Sequence, residues 1–137
     1  MLISVVIVGH NAAAYKRLSR EKNVIIVLQK YLKDVDIGLF PLIQDTHFNK
    51  TKSPAKLFEY MAMGKATVSS HIGELIDVID DGKDGFLAKD RDIFINRMNN
   101  LAMDHKLRKE MGMNAREKVI KNYSIRIAAD NLFNAIK

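Results

Sequence analysis

Residues 49–56 read Asn-Lys-Thr-Lys-Ser-Pro-Ala-Lys, three lysines with no acid among them. They lead into Leu57-Phe58-Glu59-Tyr60-Met61-Ala62-Met63-Gly64, which reads as a helix with Gly64 where it stops. Ser53 is a good N-cap and Pro54 fits the first helical position, so Lys56 falls at the third. A cation is disfavoured there, because the first backbone N–H groups have no intrahelical acceptor and make that end positive. A capping box would have Glu or Gln at the same place. Two readings meet these facts. Either the lysines are simply solvated, or the helix start and its lysines hold an anion such as a phosphate or diphosphate.

Glu59 follows Lys56 by three residues, so both point along one side of the helix while Leu57, Phe58, Met61 and Ala62 take the buried side. An ion pair with Lys56 is the plain reading of Glu59. The functional one is a carboxylate that accepts two sugar hydroxyls, as a ribose cis-diol offers.

Other polar residues make weaker patterns. Gly9 and His10 follow the first strand at its carboxyl end, where His10 could donate to a substrate oxygen or be an ordinary loop histidine. The chain contains no G-x-G-x-x-G. Asp34 and Asp36 form an Asp-x-Asp pair, but Asp36 leads straight into a buried strand and no ligand cluster accompanies it. His47, His71 and His105 are too widely spaced for a metal pattern. Ser69, Ser70 and His71 lack the elbow of a hydrolase nucleophile.

These residues need a scaffold, and the sequence describes one. Residues 2–9, 23–28, 37–42, 65–70 and 84–88 read as strands, the first two nearly continuous in apolar residues, as strands covered on both faces should be. Residues 12–20 read as a short helix and 31–36 as a helical turn. Residues 44–53 read as a polar loop without periodicity. In 71–82, Ile72, Leu75, Ile76 and Ile79 fall on one helical stripe with Gly82 as the stop. The rest is helical: 90–103, a second helix capped by Asp104 and running to about Lys121, and a third capped by Ser124. Short strands alternating with helices imply an α/β Rossmann-like fold, a parallel sheet with helices on both faces and a helical C-terminus. Ligands of such sheets bind beyond the carboxyl ends of the strands, where the 44–56 segment belongs.

With 137 residues, 47% of them hydrophobic and 28% charged, the chain is one ordinary domain of globular composition. It has no cysteine, which excludes a disulfide framework and a thiolate metal site. The net charge is +6, part of it within residues 104–126. That segment reads as a solvated helix face or as a contact for an anionic membrane surface. Nucleic acid is the poorer partner, since the segment has one aromatic residue, Tyr123, and no stacking platform.

The run Lys56-Leu57-Phe58-Glu59-Tyr60-Met61-Ala62-Met63-Gly64-Lys65, with "DIGLFPL" before it and "IGEL", "DVI" and "DGKDGFLA" after it, resembles a known family. It is similar to the C-terminal, nucleotide-sugar-binding half of the retaining glycosyltransferases of the two-Rossmann-domain (GT-B) type, group 1. The resemblance covers residues 36–137 well and 1–35 loosely. It implies that residues 1–137 form a single nucleotide-sugar-binding domain, with the N-terminal acceptor domain absent. It also implies a nucleoside diphosphate sugar as donor, a diphosphate held at the start of the 54–63 helix by Ser53, Pro54, Ala55, Lys56 and Leu57, and a ribose held by Glu59. No metal and no other cofactor are implied. Where the family has an earlier glutamate for the donor sugar, this chain has Thr51, and the usual Arg and Lys for the diphosphate have no counterpart here. The expected partners are the nucleotide sugar together with an acceptor domain or, through the apolar stripe Ile125, Ala128, Leu132, Phe133 and Ile136, a second copy. The expected location is cytoplasmic, with attachment at a membrane surface as the further option. A non-catalytic nucleotide-sugar or partner-binding module, the remnant of a split gene, is the competing reading.

Overall fold

The computed structural model describes residues 5–7, 32–42, 46–51 and 53–136. The helix expected at 12–20 and the strand at 23–28 lie outside the described residues. Four strands are described: β1 (Val5–Ile7), β2 (Ile37–Phe40), β3 (Ala66–Ser70) and β4 (Phe86–Ala88). They form a parallel sheet in the order β1-β2-β3-β4, with Gly38 opposite Thr67 and Ser69 opposite Leu87. The helices are α1 (His47–Lys50), α2 (Ala55–Ala62), α3 (Leu75–Val78), α4 (Arg91–Met103), α5 (His105–Asn122) and α6 (Ile125–Ala135).

A strand alternates its side chains between faces, so a sheet covered on both sides needs apolar residues at successive positions. The structure meets that requirement with two cores. On one face Ile37, Leu39, Ala66, Val68 and Phe86 pack with Leu101 of α4 and Met111 of α5. On the other, Phe40 and Leu87 pack with Leu57 and Met61 of α2, Leu75 and Val78 of α3, and Ala115 and Val119 of α5. Helix α5 reaches both because its backbone comes close to the turn ending α2. A Cβ at Gly112 would lie 2.9 Å or less from the Gly64 carbonyl group. Arg116 of α5 also donates to the Ala62 carbonyl. Gly64 itself has φ +67, the left-handed conformation expected of a helix stop.

Each of the last three helices opens on a side-chain cap, with Asp104 and Ser124 as expected and Asp90 added by the structure. Asp90 accepts from the Ile93 N–H at 2.8 Å, Asp104 from Leu107 at 2.9 Å and Ser124 from Ile127 at 3.5 Å.

Two expectations are corrected. The 71–82 segment is not one helix: only Leu75–Val78 is helical. Gly73 turns at φ +56, and beyond Val78 the Asp side chains bond backbone amides instead, Asp84 accepting from Asp80 N–H in the loop and Asp81 from Leu87 N–H of β4, both at 2.9 Å. Its buried stripe is Leu75, Val78 and Ile79, while Ile76 is 41% exposed. The 44–53 loop contains the single turn α1, closed at its start by Thr46, whose hydroxyl accepts from Asn49 N–H at 3.2 Å.

Candidate functional site

Because the strands are parallel, the chain leaves β2, β3 and β4 on the same side of the sheet. Pro41 and Leu42 follow β2 there, and the turn through Gly73 follows β3. Two contacts form at this end. The Leu42 N–H donates to the Ser70 hydroxyl at 2.8 Å. Gly73 lies against the backbone of Lys50, so that a Cβ at 73 would come within 2.9 Å of Lys50 Cα and closer still to its carbonyl oxygen.

Helix α2 begins at this end. The structure shifts its start by one residue: Pro54 stands at the cap position, with φ −80 and ψ 27, and Ala55 is the first helical residue. Ser53 is therefore not the N-cap, and Lys56 is the second helical residue instead of the third. A prolyl side chain has no acceptor, and α2 has no side-chain cap and no acid in its first turn. The first intrahelical bond at this end runs from Phe58 N–H to Pro54 O at 3.1 Å. The start of α2 thus keeps the electropositive character that a capping side chain would have reduced.

Pro54 is buried and Leu57 is fully buried, which seats this end on the core. The Leu57 side chain is committed to packing, so only its backbone is available to a ligand. Ala55 and Ser53 are exposed and Lys56 is half-buried. Glu59 lies one turn further along, on the exposed side. Burial of its carboxyl pushes its pKa above the ordinary 4.5, and the positive charge of Lys56 pulls part of that shift back. A partly desolvated carboxylate beside a cation suits hydrogen-bond donation from a ligand. Thr51 is exposed and its hydroxyl donates to the His47 carbonyl at 3.1 Å, closing α1.

Residues 53–57 and Glu59 are therefore brought together by one helix, with Thr51 just ahead of it. Gly9 and His10 lie outside the described residues. Sequence reasoning missed Ser70 and Gly73 as parts of this end of the sheet. A serine at a strand's carboxyl terminus and a glycine three residues later are the only local signals. Among the described residues no group of three His, Asp or Glu side chains could hold a metal ion, and no helix is long and apolar enough to cross a membrane.

Comparison with known proteins agrees with this architecture. The family model described as "Glycosyl transferases group 1" matches residues 2–104. A sequence search of curated proteins finds no match. Among solved structures, Anabaena HepE in complex with UDP and glucose superposes with a TM-score of 0.69 at 15% identity, over 80% of this chain and 29% of that one. The C-terminal domain of LpcC, a glycosyl transferase group 1 family protein from Francisella tularensis, gives 0.59 at 23% identity, over 77% of this chain and 51% of that one. Sucrose-phosphate synthase from Thermosynechococcus elongatus gives 0.62 at 16% identity, over 90% and 34%. At these identities the likeness is one of fold. The chain spans less than a third of the length of HepE.

Proposed function

This chain belongs to the glycosyl transferases group 1 family, and from that membership we propose that it is the nucleotide-sugar-binding half of a retaining glycosyltransferase. One observation carries the reading: α2 starts without a side-chain cap or an acid, with Lys56 in its first turn and the partly desolvated Glu59 one turn on. The N–H groups of residues 55–57 and the Lys56 ammonium hold the diphosphate, and Glu59 accepts the two ribose hydroxyls. When the bond from the sugar's anomeric carbon to the diphosphate breaks, negative charge grows on the leaving oxygen, and fixed N–H dipoles at this helix start stabilise it. An acceptor hydroxyl, positioned by a second domain, takes the sugar with its configuration retained and gives its proton to the departing diphosphate oxygen. That domain supplies the proximity on which the rate of a two-substrate transfer depends. We place the reaction in the cytoplasm.

A non-catalytic binding module is the second reading. Thr51 favours it, since its hydroxyl is bonded to His47 where the family has a carboxylate for the donor sugar.

HepE was solved with UDP, which makes UDP the first ligand to try. Calorimetry and chemical-shift perturbation with UDP, GDP and ADP should detect binding by one of them, with the shifts centred on residues 53–59. No binding of any of the three at millimolar concentration would overturn the proposal.

A further inference from the structure

Leu42 and Lys50 are each held at the carboxyl end of the sheet, one by the last residue of β3 and the other by the turn after it. Ser70 accepts the Leu42 N–H at 2.8 Å. The Lys50 backbone sits on Gly73, at a spacing that leaves no room for a Cβ. Between these anchors α1 is closed on itself, by Thr46 at its start and by Thr51, whose N–H and hydroxyl both reach His47 O at 3.1 Å. Only residues 51–54 separate this clamped turn from the first helical residue of α2. Gly73 also adopts φ +56, where any other L-residue is strained. Both the conformation and the close approach therefore demand glycine.

We propose that Ser70 and Gly73 are positioning residues for the anion site, fixing where the start of α2 stands relative to the sheet end. The inference rests on the proposed diphosphate site and adds the reason why that site is pre-formed. Loss of either anchor removes a tie between this end of the sheet and the residues that lead into α2. The amides of 55–57 would then have to be ordered by the ligand, at a cost in affinity.

The test compares UDP affinity with stability in three variants. Gly73→Ala adds both the strained φ and the clash with Lys50. Gly82→Ala is the control: Gly82 has φ +82, but nothing lies within 4 Å of a Cβ there, and it precedes β4, at the end of the sheet opposite the start of α2. Ser70→Ala removes only the acceptor for Leu42 N–H and decides the matter if Gly73→Ala fails to fold. We expect UDP affinity to fall about tenfold in Gly73→Ala and severalfold in Ser70→Ala, while Gly82→Ala loses stability but keeps wild-type affinity. Wild-type affinity in the folded Gly73→Ala, or in Ser70→Ala where that variant decides, overturns this inference and leaves the diphosphate site standing. An equal loss in Gly82→Ala shows a general stability effect and also overturns it. Absence of UDP binding by the wild type refutes the underlying site itself.

Discussion

The ring of Tyr60 lies on the backbone of Gly38: a Cβ at position 38 would stand 2.6 Å from Tyr60 Cγ and 2.7 Å from Cδ2. Tyr60 is 1% exposed, and through it α2 rests on β2 at a distance that only glycine permits. Gly38→Ala should push the helix off the sheet and cost about 2 kcal/mol, the scale of overpacking in a filled core. Urea unfolding would show a lower midpoint with an unchanged slope. An unchanged midpoint would mean that the ring can swing aside.

That contact also marks where the sequence stopped being readable. Strands β1 to β4 could be found because β-branched and apolar residues run through them, and α5 and α6 because they open on Asp104 and Ser124. The burial of α2 was less legible. Periodicity points to Leu57, Phe58, Met61 and Ala62, yet Phe58 is only half-buried, stacked on Tyr123 with ring centroids 4.7 Å apart, and Tyr60 goes inside. The hole that Tyr60 fills is made by Gly38, on another element. Likewise Lys56 and Glu59 could be paired from spacing alone, since one helix carries both. The joins of Leu42 to Ser70 and of Lys50 to Gly73 depend on which strands are neighbours. The segment after Val78 leaves the helix expected there because its Asp side chains bond backbone amides of the loop and of β4.

Lys118 ties the turn before β4 to α5, with its ammonium 2.8 Å from Asp84 and 3.1 Å from Asp80. Asp84 is only 2% exposed, so Lys118→Met would leave a buried carboxylate without its cation and should cost roughly 3 kcal/mol. Burial opposes the charge on Lys118, but its hydrogen bonds to Asp84 and Asp80 outweigh that and raise its pKa above 10.5. The Lys118 hydrogen bond lowers the Asp80 pKa below 3.8. Asp80's share of stability is thus present above 3.8 and lost as pH falls through its native value, whereas Lys118's is present below 10.5 and lost as pH rises through its own. Thermal melts across pH should show both limbs in the wild type and flatten them in Lys118→Met. Equal slopes in the two proteins would argue against the network.

Helix α6 has no buried side chain, and its stripe is open to solvent: Ile125 is 89%, Leu132 65% and Ile136 75% exposed. Such a surface promotes association. Sedimentation velocity should show mass rising with concentration, and Ile125→Ser with Leu132→Ser should hold the chain monomeric without lowering its melting temperature. A wild type that stays monomeric to its solubility limit would contradict this expectation.

Glu59→Gln separates ribose binding from a structural ion pair. The carboxylate is partly desolvated, so in the native state its charge is held at some cost, and its raised pKa means that ionisation above that value favours unfolding slightly. Replacing it with the neutral amide should leave stability unchanged or a little higher at neutral pH. If Glu59 served only to pair with Lys56 on an exposed side of α2, nothing else would change. If it accepts both ribose hydroxyls, the amide oxygen can replace one acceptor but not two, and UDP binding should weaken by roughly 1.5–3 kcal/mol, more than tenfold. Wild-type affinity for UDP should also fall as Glu59 protonates on acidification, starting above the pH where an ordinary glutamate would titrate, and Glu59→Gln should lack that dependence. Pyrophosphate has no ribose, so it should bind both proteins about equally and show that the positive start of α2 is intact. Equal UDP affinity in the two proteins would remove Glu59 from the site, and an equal loss of pyrophosphate would assign its effect to the potential around Lys56 instead of to the ribose.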